Sequence, residues 1–229
     1  MGDVSRETPP APSAAQGVFA DRLPRAERYA DLLVTVGVER GLIGPREHDR
    51  IWERHILNSA AFASLPADGV RVGDIGSGAG LPGIPLALAR PDLEVVLIEP
   101  LLRRATFLQE VVAELGLDRV SVIRARAEEI LGVEDFDVVT SRAVAPLDRL
   151  AGWSLPLVVV GGEMLALKGD RAADEVAEHG GVLRRLGGGR PEVVAVGGAD
   201  GVPETAVVRV VKVAKGKAGS VRSRSPRRT

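Results

Sequence analysis

Apolar positions change their spacing along the chain. Between Arg22 and Arg40, Leu23, Ala26, Ala30, Leu33 and Val34 recur at helical intervals, and Gly41 with Pro45 ends that pattern. A second stretch, Pro45–Leu65, carries Ile51, Trp52, His55, Ile56, Ser59, Ala60 and Phe62 on one or two further helices. From Val70 the texture becomes short β-rich runs alternating with helical ones. Strands are predicted at Arg71–Ile75, Glu94–Ile98, Val120–Arg124, Asp137–Thr140 and Val158–Leu167, with helices at Leu81–Ala89, Arg103–Leu115 and Pro146–Leu155. That alternation predicts an α/β fold with a mainly parallel sheet and crossover helices. Three later runs, Val182–Leu186, Val193–Val196 and Ala206–Val213, are bounded by Gly-rich turns and are predicted to be strands that pair antiparallel, closing the sheet with a hairpin. Residues 1–17, with Pro9, Pro10 and Pro12, offer no apolar periodicity and are expected to be disordered. The expected organisation is therefore a disordered segment 1–17, a helical N-terminal region 18–66, an α/β domain 67–213 and a basic disordered tail 214–229.

Composition narrows the chemistry. The 229 residues are 45 % hydrophobic and 27 % charged, the balance of a globular protein with a full core. Cysteine is absent, which excludes disulfides, zinc-thiolate sites, iron–sulfur clusters and thiol nucleophiles. The aliphatic runs near Leu93–Ile98 and Leu157–Val160 fall far short of the roughly 20 residues of a bilayer span. The start of the chain lacks the pattern of a signal peptide. A cytoplasmic location with no membrane partner is expected. The net charge of −1 conceals an asymmetry: seven basic residues and no acid follow from Lys212 onward, leaving 23 basic against 31 acidic residues before it. Such a tail suits a polyanion.

The strongest motif is the loop after the first predicted strand, with glycines at 76, 78, 80 and 83 opening a helix. Missing Cβ atoms let the backbone turn tightly and approach a ligand, and the helix start behind them offers free N–H groups. Gly78-Ala79-Gly80-Leu81-Pro82-Gly83 matches the spacing of a dinucleotide-binding loop, and Glu99 ends the next strand where a ribose-binding acid would stand. A nicotinamide-dependent oxidoreductase therefore stays open. Asp74 within the loop and Ala127-Glu128 after the third strand weigh towards a ligand bearing a cationic ammonium, which a carboxylate attracts and a pyrophosphate would not supply. S-adenosylmethionine carries that ammonium and a sulfonium. Ligands of open parallel sheets bind beyond the carboxyl ends of the strands, and Asp74, Glu99, Glu128, Arg142 and Lys168 all follow strands there. Arg142 offers a fork that fits guanine O6 or a phosphate, and Lys168 a point charge for phosphate.

Several motifs together resemble one family. The glycine loop, Asp92-Leu93-Glu94, Glu99 with Arg103-Arg104, Phe107-Leu108, Ser141-Arg142-Ala143, Ala166-Leu167-Lys168-Gly169 and Arg54-His55-Ile56-Leu57-Asn58-Ser59 look like the bacterial ribosomal RNA small subunit methyltransferase G family, also called glucose-inhibited division protein B. The resemblance covers about residues 20–212. It implies a class I, Rossmann-like methyltransferase with a seven-stranded, mainly parallel sheet, a terminal antiparallel hairpin and N-terminal helices. The implied reaction transfers a methyl group from S-adenosyl-L-methionine to N7 of a guanine in 16S ribosomal RNA, with that RNA or a small-subunit precursor as partner and a monomer as the working unit. By the same resemblance Gly76, Leu81, Ala127, Glu128 and Arg142 match cofactor contacts and Glu99 the ribose acid; Asp74 and Gly78 belong to the same loop. At Asn58 the chain departs from members that carry Asp.

Guanine N7 has a lone pair and no proton, so its attack on a sulfonium methyl needs alignment more than a base. Carbon-5 methylation of a pyrimidine would want a cysteine, and the Asn/Asp-Pro-Pro-aromatic loop of exocyclic-amine methyltransferases is replaced here by Ser141-Arg142-Ala143-Val144-Ala145-Pro146. His55 and Asn58, three apart on a predicted helix, share a face and join Arg142 and Lys168 as candidate substrate-side residues. His48 and His179 have no partner pattern, and no metal spacing exists in the chain. With only seven aromatic residues, base stacking is not the main grip on RNA. A non-catalytic RNA-binding protein on the same fold remains the other alternative.

Overall fold

The computed structural model describes residues 7–216. Seven strands, β1 (Arg71–Ile75), β2 (Glu94–Ile98), β3 (Val120–Ile123), β4 (Phe136–Arg142), β5 (Val158–Leu167), β6 (Glu192–Val196) and β7 (Thr205–Val211), form one sheet in the order β3-β2-β1-β4-β5-β7-β6. Strands β1 to β5 pair in parallel, and β7 is antiparallel to both β5 and β6. The chain runs outward from β1 to β3 and returns to β4, so the strand order reverses between β1 and β4. A crevice opens beyond their carboxyl ends at such a reversal.

Because helices cover both faces, the central strands are buried along nearly their whole length. Val72, Val95, Leu97, Val138, Leu165 and Val207 pack on one side, against α4 (Gly83–Ala89), α5 (Leu102–Glu114) and the N-terminal helices. Met164, Ala166, Val208 and Val210 pack on the other, against α6 (Leu147–Ser154) and α7 (Ala172–Arg185). The N-terminal region comprises α1 (Ser13–Phe19), α2 (Leu23–Leu32) with a π-helical continuation Leu33–Gly37, a 3-10 turn Pro45–Arg50, a π-helical segment Ile51–Leu57 and the short α3 (Asn58–Ala60). Its buried Phe19, Tyr29, Ile51, Ile56, Leu57 and Phe62 share one apolar cluster with Ile84, Leu86, Leu97 and Phe107. No helix among the described residues is long and apolar enough to cross a membrane.

Two expectations are corrected. Residues 13–17 belong to α1, with Ala14 and Ala15 buried, and Pro9 accepts a hydrogen bond from Trp52 Nε1 at 2.8 Å. Small side chains leave no long apolar period, yet they let the helix lie close against its neighbours. The run Val182–Leu186 is the end of α7 rather than a strand: Ala172, Val176 and Leu183 lie at helical spacing and pack beneath β5 and β7. Helix α7 is thus a crossover, which makes β6 parallel to β5 with β7 inserted between them; the predicted antiparallel hairpin is β6–β7. Of the predicted basic tail, the Ala214 amide donates to Gly187 O, and residues 217–229 lie outside the described residues.

Gly180 and Gly181, which suggested a turn, are interior to α7, and a Cβ at either would meet nothing closer than an arginine tip at 3.8 Å. Replacing Gly180 or Gly181 with Ala is therefore expected to stabilise the protein by about 0.5–1 kcal/mol each, measured by urea unfolding. A loss of stability would restore the turn.

Candidate active site

The loop between β1 and α4 is held from three sides. Gly76 has φ +69°, the left-handed region that favours glycine, and a Cβ there would lie 3.1 Å from the Val144 methyl groups. The N–H groups of Gly76 and Ser77 donate to Ile98 O at 2.9 and 3.2 Å, fastening the loop to the end of β2. Beneath it, the fully buried Asp74 accepts bonds at Oδ2 from Ser77 Oγ (2.6 Å) and from the Gly83 N–H (3.1 Å), drawing the two ends of the loop together. Oδ1 of Asp74 has no partner. Burial pushes this carboxyl up to about 7 in spite of those two bonds. From α2, the buried Tyr29 hydroxyl donates to Ala79 O at 2.8 Å.

Over this loop lies a cleft of about 540 Å³, walled by Gly76, Gly78, Leu81, Glu99, Arg104 and Arg142, with His55 also on its lining. Glu99 is 2 % exposed; Oε2 accepts the Gly78 N–H at 3.1 Å and Oε1 the Leu101 N–H at 3.0 Å, and Arg104 stands 3.8 Å away. Beside this cleft a smaller pocket of about 140 Å³ is lined by Ile75, Ile98, Ala127, Glu128 and Trp153. The structure thus gathers Gly76, Gly78, Leu81, Glu99, Ala127, Glu128 and Arg142 along adjoining cavities. It places Asp74 behind the loop and outside the cleft wall, because that carboxylate ties the backbone together.

Arg142, at the end of β4, reaches back to the N-terminal region. Its guanidinium donates to Ser59 Oγ (2.7 Å), Arg54 O (2.9 Å) and His55 O (3.2 Å), with His55 Nδ1 at 3.3 Å; His55 Nε2 in turn lies 2.8 Å from Glu47 Oε2. Burial lowers the pKa of both Arg142 and His55. Arg142 also lines a second cavity, about 920 Å³, with Arg50, Arg54, Asn58, Lys168 and Arg171. There Lys168 is engaged: its ammonium donates to Ala145 O at 2.6 Å and to Glu175 Oε2 at 2.9 Å, while the same carboxylate oxygen accepts the Leu147 N–H at 2.7 Å. Although burial acts the other way, Lys168 and the Leu147 amide hold Glu175 below the usual carboxylate range. Together they tether the loop after β4, in which Ala143 adopts φ +54°. Tyr29, Glu47 and Trp153 were not legible as site residues, since each acts through a contact across the fold with no local motif; Ser59 and Val144 fall within sequence motifs, but their contacts with Arg142 and Gly76 come only from the fold. Among the described residues no group of three or more His, Asp or Glu is placed to hold a metal.

A switch-point cleft over a glycine loop, a buried acid ending β2 and an antiparallel β7 define a class I, Rossmann-like methyltransferase fold. An S-adenosylmethionine-dependent O-methyltransferase from Thermotoga maritima has the same fold, with TM-score 0.54 and 19 % identity over 70 % of this chain and 66 % of that one. The family model for rRNA small subunit methyltransferase G matches residues 22–199, and the chain belongs to that family. Proteins named ribosomal RNA small subunit methyltransferase G from a Nocardioides strain and from Streptomyces avermitilis are 59 % and 57 % identical to it, over 91 % and 89 % of this chain and 84 % and 86 % of theirs. Membership sets aside the nicotinamide alternative that the glycine spacing had left open.

Because Asp74 is pushed up from an ordinary 3.8 to about 7, the folded state holds a proton between those values that the unfolded chain releases. The stability linked to this group is full below its unfolded pKa and is lost as pH rises through about 7. In Asp74→Asn, the slope of unfolding free energy between pH 4 and 7 is expected to flatten. An unchanged slope would place the titration elsewhere.

Proposed function

We propose that this chain transfers a methyl group from S-adenosylmethionine to N7 of a guanine in 16S ribosomal RNA. The observation that carries the reading is that two cavities meet at Arg142. One lies over the glycine loop, and the other carries Arg50, Arg54 and Arg171 on its wall together with Glu53 and Asp170. Each part of the cofactor finds matching chemistry. Glu99 retains free lone pairs on a buried carboxylate for a ribose diol, the small pocket beside Trp153, Ile75 and Ile98 suits a flat apolar-faced base, and the space beside Gly78 is open, since a Cβ there would meet only Gly76 O at 3.7 Å. When bound, S-adenosylmethionine supplies an electrophilic methyl on a cationic sulfur.

The chain's own work is alignment. His55 has both ring nitrogens engaged, so it offers no base, and attack by N7 requires none. A cation against N7 would oppose the positive charge that develops there, so Arg142 is assigned to guanine O6 or a phosphate at the seam. Arg50, Arg54 and Arg171 supply phosphate contacts around it. The proposed unit is a monomer, acting on small-subunit RNA in the cytoplasm.

The reading is tested by incubating small-subunit RNA with labelled cofactor and analysing the nucleosides. Label is expected in 7-methylguanosine; label in another nucleoside would overturn it. Glu99→Gln is expected to weaken cofactor binding by about 1.5–3 kcal/mol through loss of a charge-assisted bond, read by calorimetric titration. Parent-like affinity would reduce Glu99 to a support for the Gly78 and Leu101 amides. Removing residues 217–229, which carry five basic side chains, is expected to leave cofactor affinity intact while weakening RNA binding and flattening its salt dependence. Equal salt slopes for full-length and shortened chains would leave the arginines of the cavity as the phosphate contacts.

A further inference from the structure

Arg142 is a half-buried cation whose four contacts, Arg54 O, His55 O, Ser59 Oγ and His55 Nδ1, are all neutral acceptors. The acid behind them is one residue removed. Glu47 Oε2 sits 2.8 Å from His55 Nε2, and Glu47 Oε1 lies 3.5 Å from Arg54 Nη1. We infer that Glu47 and His55 are positioning residues for Arg142: Glu47 fixes His55 in the tautomer protonated at Nε2, and the bare Nδ1 aims the guanidinium at the seam between the two cavities. This rests on the reading of Arg142 as the residue at which methyl transfer is aligned.

The tautomer follows from donor and acceptor counting. Arg142 Nη2 can only donate, so a proton on His55 Nδ1 would set N–H against N–H at 3.3 Å. The Glu47 carboxylate can only accept, so the ring proton belongs on Nε2. Charges around the imidazole support the neutral ring: Arg142 from β4 and Arg54 from its own segment oppose a second positive charge, Glu47 from the Pro45–Arg50 turn favours one, and burial outweighs Glu47 to keep the pKa below its ordinary value. Arg50 acts on Glu47 rather than on the ring. With one nitrogen facing a cation and the other donating to a carboxylate, His55 has no group left for substrate. Its effect must pass through Arg142.

The imidazole nitrogens give a test that needs neither cofactor nor RNA. In ¹⁵N-labelled protein at pH 7.5, the resonances absent from His55→Asn identify His55 among the three histidines. They are expected to report a neutral ring with Nε2 protonated and Nδ1 bare. A protonated Nδ1 would overturn the proposal, whatever the fate of the methyl-transfer reading. In Glu47→Gln, whose amide can either donate or accept, the two tautomers are expected to mix and kcat to fall on the order of tenfold to a hundredfold, with cofactor Kd and thermal midpoint near the parent's. His55→Asn keeps a carbonyl oxygen near the place of Nδ1 and is expected to retain kcat within a few fold. His55→Gln places its polar atoms near Nε2 and is expected to fall as far as Glu47→Gln. Equal losses in His55→Asn and His55→Gln, tracking thermal stability, would make His55 a packing residue and end the proposal. A parent-like kcat in Glu47→Gln would end it too. Parent-like transfer by Arg142→Ala with the expected tautomer intact would instead remove the reading beneath it.

Discussion

Because Arg142 is half-buried and has no carboxylate against it, its charge is solvated in large part by the backbone and hydroxyl oxygens of a segment more than eighty residues earlier in the chain. Removing those acceptors would leave a half-desolvated cation without partners, which is unfavourable. The helical region and the carboxyl edge of the sheet are therefore obliged to stay together. Two further ties follow the same path: Tyr29 donates to the cofactor-side loop, and Arg90 donates to Ala63 O and Pro66 O at 2.8 and 3.0 Å. The π-helical winding of Ile51–Leu57, in which the Asn58 N–H reaches back to Glu53 O, falls on the residues whose carbonyls serve Arg142. Such windings are uncommon and concentrate at functional sites.

The same constraint shapes the loop after β4. Ala143 takes a left-handed conformation that costs a non-glycine residue about 1 kcal/mol or more. It persists because both flanks are fixed, Arg142 by the N-terminal region and Ala145 to Leu147 by Lys168 and Glu175. Val144 is thereby pressed over Gly76, and Ala143 and Arg142 line both large cavities. One short loop, strained and tethered, is the wall shared by the two cavities. Such rigidity is what the proposed transfer, which needs alignment rather than a base, would draw on.

Much of this arrangement is written locally. The strands β1 to β5 announce themselves as short β-branched runs, and the glycine loop, Glu99 and Ala127-Glu128 lie close after their strands, where periodicity and loop chemistry can be read directly. What escapes are features fixed by distant partners. Gly-rich steps bound Val182–Leu186 and suggest a strand, but its Leu and Arg residues suit a helix, and Leu183 has a core to fill one helical turn on from His179. Lys168 stands at a strand end like a phosphate ligand, yet Glu175, one turn into α7, captures it. Asp74 looked like a ligand for a cationic group, and its burial turns it into a fastener of the loop. Glu47 sits in a turn with no motif around it; only the fold brings it to His55.

Those captured groups also explain how a body with more acids than bases can present a site to a polyanion. Four carboxylates near the two cavities are committed inward: Glu99 to the Gly78 and Leu101 amides, Asp74 to Ser77 and Gly83, Glu175 to Lys168 and Leu147, and Glu47 to His55, while Glu53 and Asp170 stay exposed on the wall of the larger one. An acid engaged by donors projects less field than a free one, whereas Arg50 and Arg171, with Arg54 held only loosely by Glu47 at 3.5 Å, stand on the wall of the larger cavity where they can meet phosphate. Net charge counts both populations alike and so conceals the difference. The sign of the potential a nucleic acid meets at the cleft is decided by which charges the fold has neutralised, and the backbone amides that neutralise these acids belong to the loops that shape the cofactor and substrate cavities.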